Sequence, residues 1–316
     1  MTKDFVNLGD FSGEQLQGLL DRALADKALY RAGKLPASCP QKTLAMVFQK
    51  PSLRTRVSFE AAMTHLGGAA IYLAPADIGL GQREGVDDVA RVLGRMCDAI
   101  MARTFEHELI EGLARHAGCP VINGLSDYSH PCQAMADLMT TQEWFARLQP
   151  GRPPLAGRKF VFVGDANNVA RSLAVASVKL GVQFVLAAPE GYELGAAFEQ
   201  TLAEAGSAGS YELCRDPRAA VADADVIYTD TWVSMGQEAE KEKRKADFAG
   251  FCVNADLLAA AADHAIVLHC LPAYKGCEIS AETFEAHAAS IFEQSENRLH
   301  LQRTLLNTLI AEGGIR

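Results

Sequence analysis

The side chains able to do chemistry are concentrated in a few short stretches. The first is Ser52-Leu53-Arg54-Thr55-Arg56, which follows the apolar run Thr43–Phe48 and Pro51. A helical pattern then takes over, with Val57, Phe59, Ala62, Met63 and Leu66 on one apolar face, and stops at Gly67-Gly68. Two hydroxyls and two guanidiniums are therefore placed where a strand turns into a helix. The N–H groups and positive dipole end of a helix start favour an anion, and arginine forks match phosphate oxygens. The plainer reading of the same turn is an N-capping serine beside solvated arginines.

Other stretches suit an amine rather than an anion. Val163-Gly164-Asp165-Ala166-Asn167-Asn168 follows a strand and opens a helix, but it lacks the G-x-G-x-x-G spacing, which argues against a nicotinamide cofactor. Its carboxylate and amides fit a zwitterionic ligand instead. Asp230, at another strand end, is a candidate acceptor for an ammonium; a buried structural aspartate is the alternative. His269-Cys270-Leu271-Pro272 puts a thiol at a third strand end. Neither a Walker lysine nor a carboxylate cluster for a metal is present, so magnesium-dependent ATP cleavage is not expected. An anion cradle in one half and groups for an amino compound in the other fit transfer from a phosphorylated donor to an amine.

The elements that position these residues alternate. Residues 4–36 read as one or two amphipathic helices. Apolar runs at Thr43–Phe48, Ala69–Leu73, 99–101 and 121–122 alternate with helical stretches at 57–66, 86–96 and 107–117. Pro131–Leu148 is helical by pattern, and Pro150-Gly151-Arg152-Pro153-Pro154 reads as a linker. The alternation restarts with strands expected at 160–163, 184–187, 226–228 and 266–268, and a leucine-rich helix is expected at 297–311. The fold class is therefore α/β: two doubly wound parallel-sheet domains facing each other across a cleft. Ligands of such sheets bind outside the strand C-termini, where the polar residues collect. The run 237–245, QEAEKEKRK, reads as a solvated helix face with i,i+4 pairs. Trp232-Val233-Ser234-Met235-Gly236, just before it, reads as a mobile loop able to close on a ligand.

The bulk properties set limits. With 316 residues, two domains are the expectation, and 49% hydrophobic and 22% charged residues describe an ordinary globular chain. A net charge of −9 argues against general nucleic-acid binding, so an anion site must be locally basic. The eight cysteines form no C-x-x-C pair and no zinc spacing. The absence of a long apolar run or leader pattern gives a cytoplasmic expectation with no membrane partner.

Taken together, Ser52–Arg56 as S-x-R-T-R, His130-Pro131-Cys132-Gln133, His269-Cys270-Leu271-Pro272 and Glu296-Asn297-Arg298 resemble the carbamoyltransferases. Asp230-Thr231-Trp232 followed by Ser234-Met235-Gly236-Gln237 resembles their ornithine branch, and the likeness covers almost the whole chain. It implies a carbamoyl phosphate domain at 1–148, an ornithine domain at 149–294, and a last helix at 295–316 that packs on the first domain. It implies that Ser52, Leu53, Arg54 and Thr55 hold the phosphate of carbamoyl phosphate, that Arg103 adds charge, and that His130 and Gln133 bind the carbamoyl group. Cys270, Leu271 and Arg298 would line the reacting centre. Asn168, Asp230, Ser234 and Met235 would hold L-ornithine. Arg103, His130, Asp230 and Cys270 would be catalytic, without cofactor or metal, in a homotrimer with sites at subunit interfaces. Citrulline would serve arginine biosynthesis or be consumed for ATP; the sequence leaves the direction open.

Two positions depart from the family pattern. Leu53 stands where many relatives have threonine, and Gly79 where the family has a glutamine that reaches a neighbouring subunit's phosphate, with Gln82 and Arg83 nearby as substitutes. Putrescine or an acylated ornithine is the nearest competing amine. A non-catalytic paralogue is the competing class.

Overall fold

The structure, a computed structural model, describes residues 2–315 apart from Gln82, 206–207 and 234–236. The chain divides into two compact units, Met1–Met139 with Asn297–Arg316, and Thr140–Glu296.

In the first unit, β1 (Thr43–Phe48), β2 (Ala69–Leu73), β3 (Ala99–Arg103) and β4 (Val121–Leu125) form a wholly parallel sheet in the order β2-β1-β3-β4. β1, β3 and β4 are buried almost throughout, as continuous apolar strands covered on both faces must be. β3 and β4 run further than the apolar residues alone suggest, so Arg103 and Asn123 lie on the strands themselves. Phe5 extends the edge: its N–H donates to the Val121 carbonyl at 2.8 Å, and the Asn123 N–H donates to its carbonyl at 2.8 Å. The end of the chain is tied to this unit by Lys27 Nζ donating to Asn297 Oδ1 at 2.7 Å and Thr304 Oγ1 donating to Asp26 Oδ2 at 2.7 Å.

The second unit has a five-stranded parallel sheet: β5 (Lys159–Val163), β6 (Gln183–Ala187), β7 (Ser210–Cys214), β8 (Val226–Thr229) and β9 (Ile266–His269), ordered β7-β6-β5-β8-β9. β7 is the strand that the sequence pattern does not announce. It is a half-exposed edge with Glu212 at its centre, the charged design that discourages further pairing.

Both unit boundaries fall inside helices, Pro131–Leu148 and Ala288–Leu306, rather than at the proline-rich segment 150–154. The reason is packing within the second unit. The fully buried Arg158 guanidinium lies 4.2 Å from the Phe145 ring centroid, donates to Gln149 Oε1 at 2.6 Å and pairs with Asp225 at 2.9 Å. Arg147 pairs with Glu293 at 2.7 Å. The last turns of the helix thus belong to the second unit, and the proline turn lies within it.

Candidate active site

In the first unit the helix Leu53–His65 starts directly after β1, with Ser52 as its N-cap. The Thr55 N–H donates to Ser52 Oγ at 3.3 Å, a cap worth about 1 kcal/mol. The Ser52 hydroxyl donates to Thr55 Oγ1 at 3.1 Å, and Arg298 Nη2 donates to the same oxygen at 2.9 Å. The first turn therefore carries a guanidinium delivered from the far end of the sequence. Leu53 turns its side chain outward at 75% exposure, leaving its backbone as its only polar offering to an anion. Arg56 also faces away, stacked 4.0 Å from the Tyr72 ring centroid and paired with Glu60 at 3.1 Å.

Arg103 at the end of β3, His130 at the end of the loop after β4, and Gln133 in the first turn of Pro131–Leu148 are all buried. The loop is fixed from below: Asn123 Nδ2 donates to the Val6 carbonyl at 3.1 Å and to Ser129 Oγ at 2.9 Å. Burial first, then the charges of Arg298, Arg103, Lys50 and Arg54, hold the His130 imidazole well below its ordinary range. It is therefore neutral at neutral pH. Gln133 Nε2 donates to Asp137 Oδ1 at 2.7 Å, while its buried Oε1 has no hydrogen-bond partner among the described residues. That oxygen is an acceptor awaiting an N–H.

Lys50 is the cation that sequence reasoning missed. It is buried 4.6 Å from the Phe105 ring centroid, and burial with the charge of Arg103 brings its ammonium down to about 8, against the pull of Asp127. Gly79 has a left-handed φ of +58°, and a Cβ there would sit 2.8 Å from Arg83 Cβ. This loop shape does not accept the glutamine of the family pattern. Gln82, the other suggested substitute, lies outside the described residues, and Arg83 instead donates to the Asp77 carbonyl at 2.7 Å.

In the second unit the groups converge on Asp230, directly after β8. Its Oδ1 accepts from the Thr231 N–H at 2.8 Å and from the Cys270 thiol at 3.0 Å; its Oδ2 accepts from Asn167 Nδ2 at 2.7 Å. Asn167, rather than Asn168, touches the carboxylate. Asn167 also caps the helix Asn168–Lys179, accepting from the Val169 and Ala170 N–H groups at 3.0 and 3.1 Å. Asn168 is the half-buried first residue of that helix, and its carbonyl accepts from Ser172 Oγ at 2.9 Å. Burial lifts the Asp165 carboxyl above the usual range, against the pull of Arg244. Cys270 and Leu271, expected beside carbamoyl phosphate, belong to this unit. Leu271 holds a left-handed φ of +61° that is uncommon for a leucine, with its N–H donating to His269 Nδ1 at 2.9 Å. Ser234 and Met235 lie outside the described residues.

Asp230, His269 and Cys270 present possible metal-ligand atoms within 4.8 Å of one another. His269, however, accepts from Leu271 at Nδ1 and faces Glu278 Oε1 at 3.2 Å through Nε2, so both ring nitrogens are engaged in hydrogen bonding. The arrangement suits a hydrogen-bonded carboxylate and thiol presented to a cationic or amino ligand. No disulfide joins any of the eight cysteines.

Comparison with known proteins gives matches to both halves. Residues 3–143 match the family described as "Aspartate/ornithine carbamoyltransferase, carbamoyl-P binding domain", and residues 156–309 match "Aspartate/ornithine carbamoyltransferase, Asp/Orn binding domain". A Pyrococcus furiosus protein described as "Ornithine carbamoyltransferase, anabolic" is 48% identical over 99% of this chain and 98% of its own length. The solved ornithine carbamoyltransferase from Pyrococcus furiosus is similar with a TM-score of 0.89, covering 98% of this chain and 97% of its own at 48% identity. The anabolic ornithine carbamoyltransferase from Campylobacter jejuni gives 0.90 at 40% identity, covering 98% of this chain and 99% of its own.

Proposed function

The chain belongs to the aspartate/ornithine carbamoyltransferase family, and on that premise we propose how its residues divide the reaction between them. The carbamoyl group passes from carbamoyl phosphate to the δ-amine of L-ornithine, giving L-citrulline and phosphate. The donor is a reactive mixed anhydride, so orientation and electrostatics serve it better than a covalent nucleophile.

Ser52, Thr55 and the backbone N–H groups from Leu53 onward receive the phosphate at the helix start, with Arg54, Arg103, Arg298 and Lys50 compensating its charge. His130, neutral and buried among these cations, donates one N–H to the carbonyl oxygen as negative charge develops there. Gln133 Oε1, which has no partner among the described residues, accepts from the carbamoyl NH2. Asp230 accepts the ornithine ammonium, steadied by Asn167 and Cys270, with Asn168, Ser234, Met235 and Leu271 completing the amine side. The δ-amine must be neutral to attack. Its lone pair forms the N–C bond, the C–O bond to phosphate breaks, and the departing phosphate takes the amine proton. A cytoplasmic homotrimer working in the direction of arginine synthesis is part of the reading. Its direction is supported by the anabolic relatives.

The observation that carries this division is the buried His130 lying within the electrostatic reach of Arg298, Arg103, Lys50 and Arg54. The test is product formation from carbamoyl phosphate with L-ornithine, putrescine, N-acetylornithine or aspartate in parallel, each product identified by mass. Dominant citrulline supports the reading; a dominant product from another amine moves the error to the amine side, and silence in all four overturns it.

A further inference from the structure

The mixed-charge run 237–245 is not simply a solvated face. Its Lys243 does form the expected exposed i,i+4 pair, with Asp247 at 2.6 Å. Arg244 behaves differently. It is 7% exposed, and its guanidinium reaches back to two separate loops of the second unit. Nη1 donates to Asp165 Oδ2 at 2.7 Å and to the Trp232 carbonyl at 3.0 Å, while Nε donates to Glu240 Oε2 at 2.8 Å. Trp232 stacks on Phe248 with ring centroids 5.4 Å apart and planes 14° apart, so the helix Lys241–Asp247 grips this residue from both ends.

The two loops that Arg244 joins are the ones that build the carboxylate site. Asp165 stands two residues before Asn167, whose N–H donates to the Asp165 carbonyl at 2.7 Å and whose side chain donates to Asp230. Trp232 stands two residues after Asp230. We propose that Arg244 is a positioning residue for the amine substrate, holding the Asp165–Asn167 turn and the Asp230–Trp232 segment in register so that the Asp230 carboxylate keeps one orientation. It touches no reacting atom. This proposal rests on the assignment of Asp230 to the ornithine side. The planar fork is what the task needs: one nitrogen bonds two acceptors on different loops while another is pinned by Glu240, which a lysine cannot reproduce.

The test compares Arg244→Ala, Arg244→Lys, Asp165→Asn and the Arg244→Lys/Asp165→Asn double variant with the unaltered protein. KM for L-ornithine, KM for carbamoyl phosphate, kcat and thermal midpoint are read for each. Charge-assisted bonds of this kind predict a rise in ornithine KM of about ten- to a hundred-fold for Arg244→Ala. The carbamoyl phosphate KM should change less than about three-fold, within the scatter expected of a site not involved. Arg244→Lys should fall between, and the double variant should cost less than the product of its singles because the two residues act as one unit. Equal loss for both substrates, or a lowered midpoint with unchanged ornithine KM, would overturn the proposal. If Arg244→Ala does not fold, Arg244→Lys and Asp165→Asn decide by the same split. Failure of the unaltered protein to make citrulline would instead overturn the underlying reading.

Discussion

The Cys270 thiol donates to Asp230 Oδ1 at 3.0 Å across a sequence distance of 40 residues, joining the tips of two neighbouring strands. The carboxylate thereby takes three donors from three places in the chain, and its orientation is over-determined. Cys270→Ala removes one of them. The expected result is an ornithine KM raised about three- to ten-fold, with the carbamoyl phosphate KM changed far less, because a single net hydrogen bond is worth about 1 kcal/mol. Cys270→Ser keeps an O–H donor and should recover most of the loss. Steady-state kinetics with each substrate varied in turn decides.

Lys50 gives the anion side a pH dependence. Its ammonium titrates at about 8, so it is charged below that pH and neutral above it. A phosphate binds the charged form better, and the affinity for carbamoyl phosphate should therefore be full at pH 7 and fall as pH rises through about 8. Lys50→Arg, which stays charged, should remove this fall, and Lys50→Met should show weak binding at both ends. The measurement is carbamoyl phosphate KM from pH 6.5 to 9.5.

His130 links the same site to folding stability. Its folded-state proton affinity lies well below the ordinary value of about 6.5 that applies in the unfolded chain. Below that pH the unfolded chain binds the extra proton and the folded protein does not, so stability is lost as pH falls from about 6.5. The contribution is about 1.4 kcal/mol per pH unit for one such group. His130→Asn should flatten the acid side of the stability curve by that slope, read by urea denaturation at pH 7 and pH 5. Other buried histidines and carboxylates affect both proteins alike and cancel in the difference.

Gly79→Gln introduces the glutamine that the resemblance leads one to expect into a backbone that does not suit it. With φ at +58° and Arg83 Cβ 2.8 Å from the added Cβ, the substitution should cost about 1–2 kcal/mol and bring no gain in carbamoyl phosphate affinity. Thermal melting and carbamoyl phosphate KM test the two halves of this expectation. An unchanged midpoint with a lowered KM would show that the loop adapts.

What could be read in the sequence was local. Ser52 through Thr55 sits in one turn, and a cap, a proline and an apolar periodicity announce that turn without help from the rest of the molecule. Asp230 and Cys270 were legible because each ends an apolar strand. The residues missed are those whose surroundings are distant in sequence. Lys50 is buried by Phe105, and Arg244 looks solvated until Asp165, 79 residues earlier, is placed beside it. Asn167 and Asn168 are adjacent and chemically identical, and only the phase of the helix start decides which one faces Asp230. The strand Ser210–Cys214 was missed because an edge strand needs little apolar patterning. The proline turn at 150–154 suggested a boundary that Phe145 and Arg158 draw elsewhere.

The bond from Arg298 to Thr55 has a consequence for how the molecule is made. It spans 243 residues, and at the usual pace of translation, about 10 residues per second, the ribosome needs roughly 24 s to travel between them. Once residue 125 has been added, the nascent first unit has β1 to β4 and the Ser52 turn, and until residue 298 is added it lacks the guanidinium that bonds Thr55. A late-made residue thus completes a turn whose other parts were laid down first. A product that stops between residues 125 and 298 therefore carries the Ser52 turn without its Arg298 bond.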